Sequence, residues 1–327
     1  MRLAILDDYQ DAAKDFAPWQ SLQDRGVQVT TFREPFASTS DAVSALQGFG
    51  IIVAMRERTP FPREVLTELP DLKLLVTTGM ANAAIDLDAA DEQGIAVCGT
   101  SGSATAAPEQ TWALLLAFAR DLSAQENALR AGGWQTSVGF ELAGKTLGIL
   151  GLGKIGQRIA AYGKAFGMDV IAWSPNLQEA TTAEFGVRKV TKEQLFAEAD
   201  VVTLHVRLSE RSAGVVGAEE LRLLGPNGVL VNTARGPLVD QNALVDALKN
   251  GWIRGAALDV YDIEPLPVNH PLLDAPNTLL SPHLGYVTAE SYTKFYGEAF
   301  EDVVAWLDEA PVRKLNSGAI IRSGSPR

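Results

Sequence analysis

Short apolar runs alternate with helical patterns over nearly the whole chain. The runs RLAILDD, FGIIVAMRE, LKLLVTTG, IAVCG, TLGILGLG, MDVIAWS, ADVVTLHV, NGVLVNTAR and IRGAALDVY read as strands. Stretches between them, such as SDAVSALQGF and NALVDALKNG, read as helices. Strand and helix in alternation predict an α/β fold of parallel sheets wrapped by helices. The pattern falls into two cycles. The first runs from Met1 to about Gly99. A small-residue connector, GTSGSATAAPEQ, then leads into a strongly apolar helix around Thr111–Leu122, and the second cycle starts at Thr146. A helix from about Ala289 to Asp308 and a polar tail close the chain. Boundaries are therefore expected in the Thr100–Ser103 connector and at a return crossing near His283–Thr288, dividing the chain into 1–101, 102–286 and 287–327.

Length and composition narrow the class. At 327 residues and 35.0 kDa, two domains are expected. Hydrophobic residues at 46% and charged residues at 21% exclude wholesale disorder. The longest unbroken apolar run, Trp112–Ala119, is eight residues, against about 20 for a membrane-spanning helix. The start, MRLAILDDYQ, turns acidic after a short apolar run, which fits a first strand rather than a secretory segment. One cysteine, Cys98, makes no internal disulfide and no zinc cluster. Forty acidic against 28 basic residues give a net charge of −12, a poor match to nucleic acid or an anionic membrane. A soluble, cytoplasmic protein is expected.

Chemistry enters with the glycines. Leu147-Gly148-Ile149-Leu150 reads as a buried strand, followed by Gly151-Leu152-Gly153-Lys154-Ile155-Gly156 and the helical pattern QRIAAYGKAF. In such a loop the first glycine makes the tight turn, the second admits a pyrophosphate to the backbone, and the third lets helix and strand pack closely. The helix N-terminus adds partial positive charge for the phosphates. A second strand, Asp169–Trp173, should end where an acid would hold the adenosine ribose hydroxyls, yet Ser174-Pro175-Asn176 stands there and no arginine follows at once. Ser174 either meets the ribose or only starts the turn before Pro175, so the cofactor stays open between NAD and NADP.

Three further segments place reactive groups after apolar strands. Arg235 lies in Asn232-Thr233-Ala234-Arg235-Gly236, Asp259 and Glu264 follow GAAL, and His283 lies in Ser281-Pro282-His283-Leu284-Gly285. Ligands of open α/β sheets bind outside the carboxyl ends of strands, so these groups are placed to converge. Arginine offers a planar fork to a carboxylate. Histidine is the usual proton carrier near neutral pH, and a neighbouring carboxylate fixes its tautomer. His270, in PVNHPLL, reads as a loop residue, and His205 as a half-buried group at a strand end.

In this order and spacing, GLGKIG, the LHV segment, NTARG, LDVYDIEPLP and SPHLGY resemble the D-isomer-specific 2-hydroxyacid dehydrogenase family, which includes phosphoglycerate dehydrogenases and glyoxylate/hydroxypyruvate reductases. The resemblance runs from about Leu46 to Asn316. It implies two Rossmann-like domains, the nucleotide-binding one inserted into a flavodoxin-like substrate domain built from both chain ends. It implies hydride transfer between NAD or NADP and C2 of a small 2-hydroxy or 2-oxo acid. Arg235 would bind the substrate's carboxylate and carbonyl oxygen, His283 would carry the proton, and Glu264 would hold and tune that histidine. Cofactor contacts are implied for Gly151, Gly153, Lys154, Ile155, Gly156, Ser174, Thr233, Ala234 and Gly285, for His205, Val206 and Arg207 along the cofactor, and for Asp259 on the nicotinamide carboxamide.

Substrate contacts are implied for Arg56 and for the backbone of Gly79-Met80-Ala81. The chain departs from the pattern in places. Ala81 replaces a usual glycine, Ala84 a usual asparagine, and Arg207 a common proline. Tyr286 stands where a small residue is common and should narrow the substrate pocket. Relatives pair as homodimers through the helix after the connector, which here contains TWALLLAFAR. Alternative readings are formate dehydrogenase, which would pair its histidine with glutamine rather than Glu264, and an NAD-sensing corepressor, which would carry a long disordered tail. S-adenosylhomocysteine hydrolase also has a glycine loop, but its cysteine and lysine groups have no counterpart here.

Overall fold

Arg2–Ile5 (β1), Gln28–Thr31 (β2), Ile51–Ala54 (β3), Leu74–Thr77 (β4) and Ala96–Gly99 (β5) form a parallel sheet in the computed structural model, which describes residues 1–317. Their order is β2-β1-β3-β4-β5, the flavodoxin-like winding. Every residue of β3, β4 and β5 is buried, as helices on both faces require, so these strands read as unbroken apolar runs. The edge strand β2, QVTT, is polar and partly exposed and carries no such signal. After the helix Ala289–Leu307 the chain returns to this sheet. Leu315 donates its amide to the Val97 carbonyl at 2.8 Å, and the Asn316 side chain pairs with Val97 N and Ile95 O. These elements make one unit, Met1–Ser103 with the segment from Thr288 onward. The polar tail lies partly outside the described residues.

The second unit is Ala104–Val287. Its strands are Thr146–Leu150 (β6), Asp169–Trp173 (β7), Arg188–Lys189 (β8), Val201–Leu204 (β9), Val229–Asn232 (β10), Gly255–Leu258 (β11) and Thr278–Leu280 (β12). All pair in parallel, in the order β12-β11-β10-β9-β6-β7-β8. Counted along the chain, this is the doubly wound dinucleotide-binding order with one strand added, and its winding reverses between β6 and β9. A Rossmann-like unit is thus inserted into a flavodoxin-like one.

The apolar helix after the connector spans Ala106–Ala119, five residues earlier at its start than the sequence pattern suggests. Pro108 sits in its first turn, where a missing N–H costs nothing. It stops before Asp121, which takes a left-handed φ of 55° and opens a separate helix, Leu122–Arg130. Trp112, Leu114, Leu115 and Ala119 are buried in the unit's own core, with Trp112 edge-on to Tyr162 and Phe166. The apolar residues of TWALLLAFAR are therefore largely spent on internal packing.

Candidate active site

The glycine loop joins β6 to the helix Lys154–Ala165. Gly151 has φ +103°, and a Cβ there would meet Val206 Cγ1 at 2.7 Å and the His205 carbonyl carbon at 2.8 Å. A Cβ on Gly156 would lie 2.1 Å from the Gly151 oxygen. Both positions therefore admit only glycine. Gly153 differs: a Cβ would meet nothing within 4 Å, so its face opens onto free space. The first helical turn there, with Lys154 and Ile155 exposed, leaves backbone N–H groups without intrahelical partners. Beside it His205 Nε2 is buried without a hydrogen-bond partner among the described residues. Burial pushes the His205 pKa down to about 3, so the ring stays neutral. An open cradle with unsatisfied donors at the reversal between β6 and β9 fits a dinucleotide pyrophosphate.

Ser174 follows the last residue of β7 directly, half-buried, as the sequence places it. Arg207 is exposed, and its carbonyl accepts from Ser212 Oγ at 2.7 Å.

The ends of β10, β11 and β12 carry the reactive groups. Asn232 is buried and clamps the loop after β10. Its Nδ2 donates to the Arg235 carbonyl at 2.9 Å, and its Oδ1 accepts from Ala234 N at 3.0 Å. The neighbouring Thr233 hydroxyl lies 2.6 Å from that of Thr111. Arg235 is half-buried and donates through Nη1 to the Ala234 carbonyl at 2.7 Å. A Cβ on Gly236 would sit 1.9 Å from the Tyr261 carbonyl carbon, so the arginine loop lies directly on the backbone that leads to Glu264.

Glu264 is held at both oxygens. Oε1 accepts from Tyr261 N at 2.9 Å, and Oε2 lies 2.5 Å from His283 Nδ1. Both side chains are largely enclosed. With Nδ1–H assigned to the glutamate, Nε2 is the nitrogen left for a ligand. His283 has φ +53°, an unfavourable backbone for a non-glycine residue, and the Tyr286 ring stands edge-on to it at 5.5 Å. Asp259, expected to reach a nicotinamide carboxamide, is held by donors of the histidine loop. It is 0% exposed, and its carboxylate accepts from Leu284 N and Gly285 N at 2.8 Å each and from Ser281 Oγ. Burial pushes its pKa up against these donors. Asp259 thus anchors the backbone just beyond His283.

In the first unit, the turn after β4 is built around Arg56. Arg56 has φ +53°, donates its amide to Thr78 Oγ1 at 2.8 Å, and its Nη1 donates to the Thr78 carbonyl at 3.1 Å. Gly79 has φ +104°, and a Cβ there would lie 2.1 Å from Arg56 Nη1, so the guanidinium lies across a position only glycine can fill. Met80 and Ala81 are exposed beyond it. Asn82, passed over in the sequence, braces this turn by donating to the Arg56 carbonyl and Thr77 Oγ1.

Ser281 and Gln110 were passed over as well. Gln110 Nε2 donates to Ser281 Oγ at 3.1 Å, joining the helix Ala106–Ala119 to the histidine loop. Ser281 lay in view inside SPHLGY; nothing near Gln110 in the sequence marks it.

A family model for the NAD binding domain of D-isomer specific 2-hydroxyacid dehydrogenases matches residues 112–285. A glyoxylate reductase of Aeropyrum pernix is 39% identical over 273 residues, covering 80% of this chain and 82% of that one. A D-3-phosphoglycerate dehydrogenase of Methanocaldococcus jannaschii is 38% identical over 244 residues, 73% of this chain but only 46% of that longer one. Among solved structures, a phosphoglycerate oxidoreductase from Vibrio cholerae superposes with a TM-score of 0.89 at 40% identity, covering 95% of this chain and 100% of that one.

Proposed function

The chain belongs to the D-isomer-specific 2-hydroxyacid dehydrogenase family, and from that premise we propose that Arg235, Glu264 and His283 carry its reaction on a small 2-oxo or 2-hydroxy acid. It is an NAD(P)-dependent oxidoreductase acting on the CH–OH group of such acids. A nicotinamide, when bound against these residues, would supply the hydride-transfer chemistry at C2. Arg235 holds the carboxylate and carbonyl oxygen in its planar fork and stabilises the charge that grows on that oxygen. His283 gives the oxygen its Nε2 proton in reduction and takes it back in oxidation. Glu264, fixed by Tyr261, keeps the ring oriented. Asp259 and Ser281 hold the loop in which the histidine sits. Gly151, Gly153, Lys154, Ile155 and Gly156 take the pyrophosphate, with His205, Val206, Thr233 and Ala234 alongside. In the first unit, the amides of Met80 and Ala81 next to Arg56 offer donors suited to a carboxylate, and we assign them a part in substrate binding.

One observation carries this reading: the 2.5 Å contact between Glu264 Oε2 and His283 Nδ1, with the second glutamate oxygen locked on backbone. A substrate panel with NADH and NADPH tests it. We expect turnover of at least one small 2-oxo acid, such as glyoxylate, hydroxypyruvate or pyruvate, with chiral products of the D configuration. A chain that reduces none of them contradicts the reading.

The reading extends to a cytoplasmic homodimer. Its support is the apolar surface on Leu122, Leu129, Trp134 and Val138, of which Trp134 is 77% and Val138 92% exposed. Isolated exposed apolar side chains are ordinary, but four within one short segment suit a partner surface.

A further inference from the structure

A cavity of about 690 Å³ opens beside the carboxyl end of β7, between that strand end, the start of the helix Lys192–Glu198 and the loop near Arg211. Trp173, Ser174, Lys189, Lys192, Glu193 and Arg211 line it. On a chain of net charge −12, this wall gathers three cations. They are not equivalent. Lys192 is already neutralised by Glu220, 2.6 Å away, which is itself held by Gly217 N. Among the described residues, neither Lys189 nor Arg211 has an acidic partner within salt-bridge distance. Glu193 is the one acid lining the cavity among the described residues. Hydrogen bonds from its own amide and from Thr191 hold its pKa below the usual carboxylate range. The strand end itself supplies Ser174, a neutral hydroxyl, where folds that use NAD place an acid against the ribose 2′-hydroxyl.

We infer that this cavity receives the 2′-phosphate of NADP(H), with Arg211, Lys189 and Ser174 as its ligands, and that the chain prefers NADPH to NADH. The inference rests on the reading of Gly151–Gly156 as the pyrophosphate cradle. A phosphate monoester brings three acceptor oxygens and up to two negative charges. The Arg211 guanidinium meets two of those oxygens in parallel, Lys189 adds a point charge, and the Ser174 hydroxyl donates to the third. An acid at the position of Ser174 would repel the same group; the serine removes that repulsion. Arg211 sits four residues beyond Arg207, the arginine that the sequence motif brought forward, and it is Arg211 that lines the cavity.

Binding without turnover tests the assignment. Titration calorimetry on the full chain, with ADP-ribose and 2′-phospho-ADP-ribose as probes, isolates the contribution of the phosphate. We expect the phosphorylated probe to bind at least about tenfold more tightly at low salt, with the gap shrinking as salt is added. Arg211→Gln with Lys189→Gln closes the gap to within about twofold while ADP-ribose binds as before, and Ser174→Asp weakens the phosphorylated probe selectively. Equal affinities in the wild type, or a gap that survives the double substitution, overturn the inference and leave the nucleotide cradle standing. Failure of both probes to bind overturns the inference and the cradle together.

Discussion

Arg235 shows what a single residue needs to be usable. Its backbone is pinned by Asn232 and by the contact of Gly236 with Tyr261, so the guanidinium is delivered on a rigid turn. An ammonium at this site keeps the charge and loses the fork. Arg235→Lys is therefore expected to lower kcat/KM for a 2-oxo acid by about 10²–10³-fold, a loss typical of a removed oxyanion donor. Steady-state kinetics check this, and wild-type constants would remove Arg235 from the reaction. His205 gives a pH-dependent counterpart. Its ordinary pKa of 6.5 is pushed to about 3 by burial, so as pH falls below 6.5 the unfolded chain takes up a proton that the folded chain refuses. The stability gained from the neutral ring is whole above pH 6.5 and drains away below it, by at most about 1.4 kcal/mol per pH unit. Urea unfolding at pH 7.5 and pH 5 should show the wild type losing more stability over that interval than His205→Asn. Equal losses would mean that the ring titrates freely when folded.

At the scale of elements, what the sequence discloses depends on burial. Strands covered on both faces announce themselves as unbroken apolar runs, and β3, β4, β5, β9 and β10 were legible for that reason. The edge strands β2 and β8 are polar and short and gave no pattern. The helix Ala106–Ala119 was legible in its apolar middle, but its start was hidden behind Pro108 and small residues that also suit a loop. Its composition suggested a surface for a second subunit, and the fold spends it on Tyr162 and Phe166 instead. The adjoining segment keeps Trp134 and Val138 in solvent, where the proposed dimer would pair. Light scattering on the eluted protein should give about twice the 35.0 kDa chain mass. Trp134→Asp with Val138→Asp should give one chain mass with unaltered circular dichroism. A wild-type monomer would dispose of that interface.

At the scale of the whole chain, the candidate site residues legible in the sequence were those carried by motifs at strand ends: the glycine loop, Arg235, Glu264 and His283. What stayed hidden was the bracing that acts through distant contacts. Asn82 under the Arg56 turn and Gln110 under Ser281 are ordinary polar residues in sequence, and only the folded chain gives them partners. Asp259 was visible but its partners were not, because the amides it accepts from lie 25 and 26 residues further on. Each unit is a parallel sheet whose reactive groups leave the carboxyl ends of its strands, and the chemistry assigned to the second unit concentrates on one proton-carrying nitrogen. The most direct test is therefore His283→Ala, assayed for reduction of the preferred 2-oxo acid alongside calorimetric titration with the nicotinamide nucleotide. Turnover should fall by at least about 10²-fold while nucleotide affinity stays within about twofold of wild type. Undiminished turnover with intact nucleotide binding would contradict the assignment of His283 as the proton carrier.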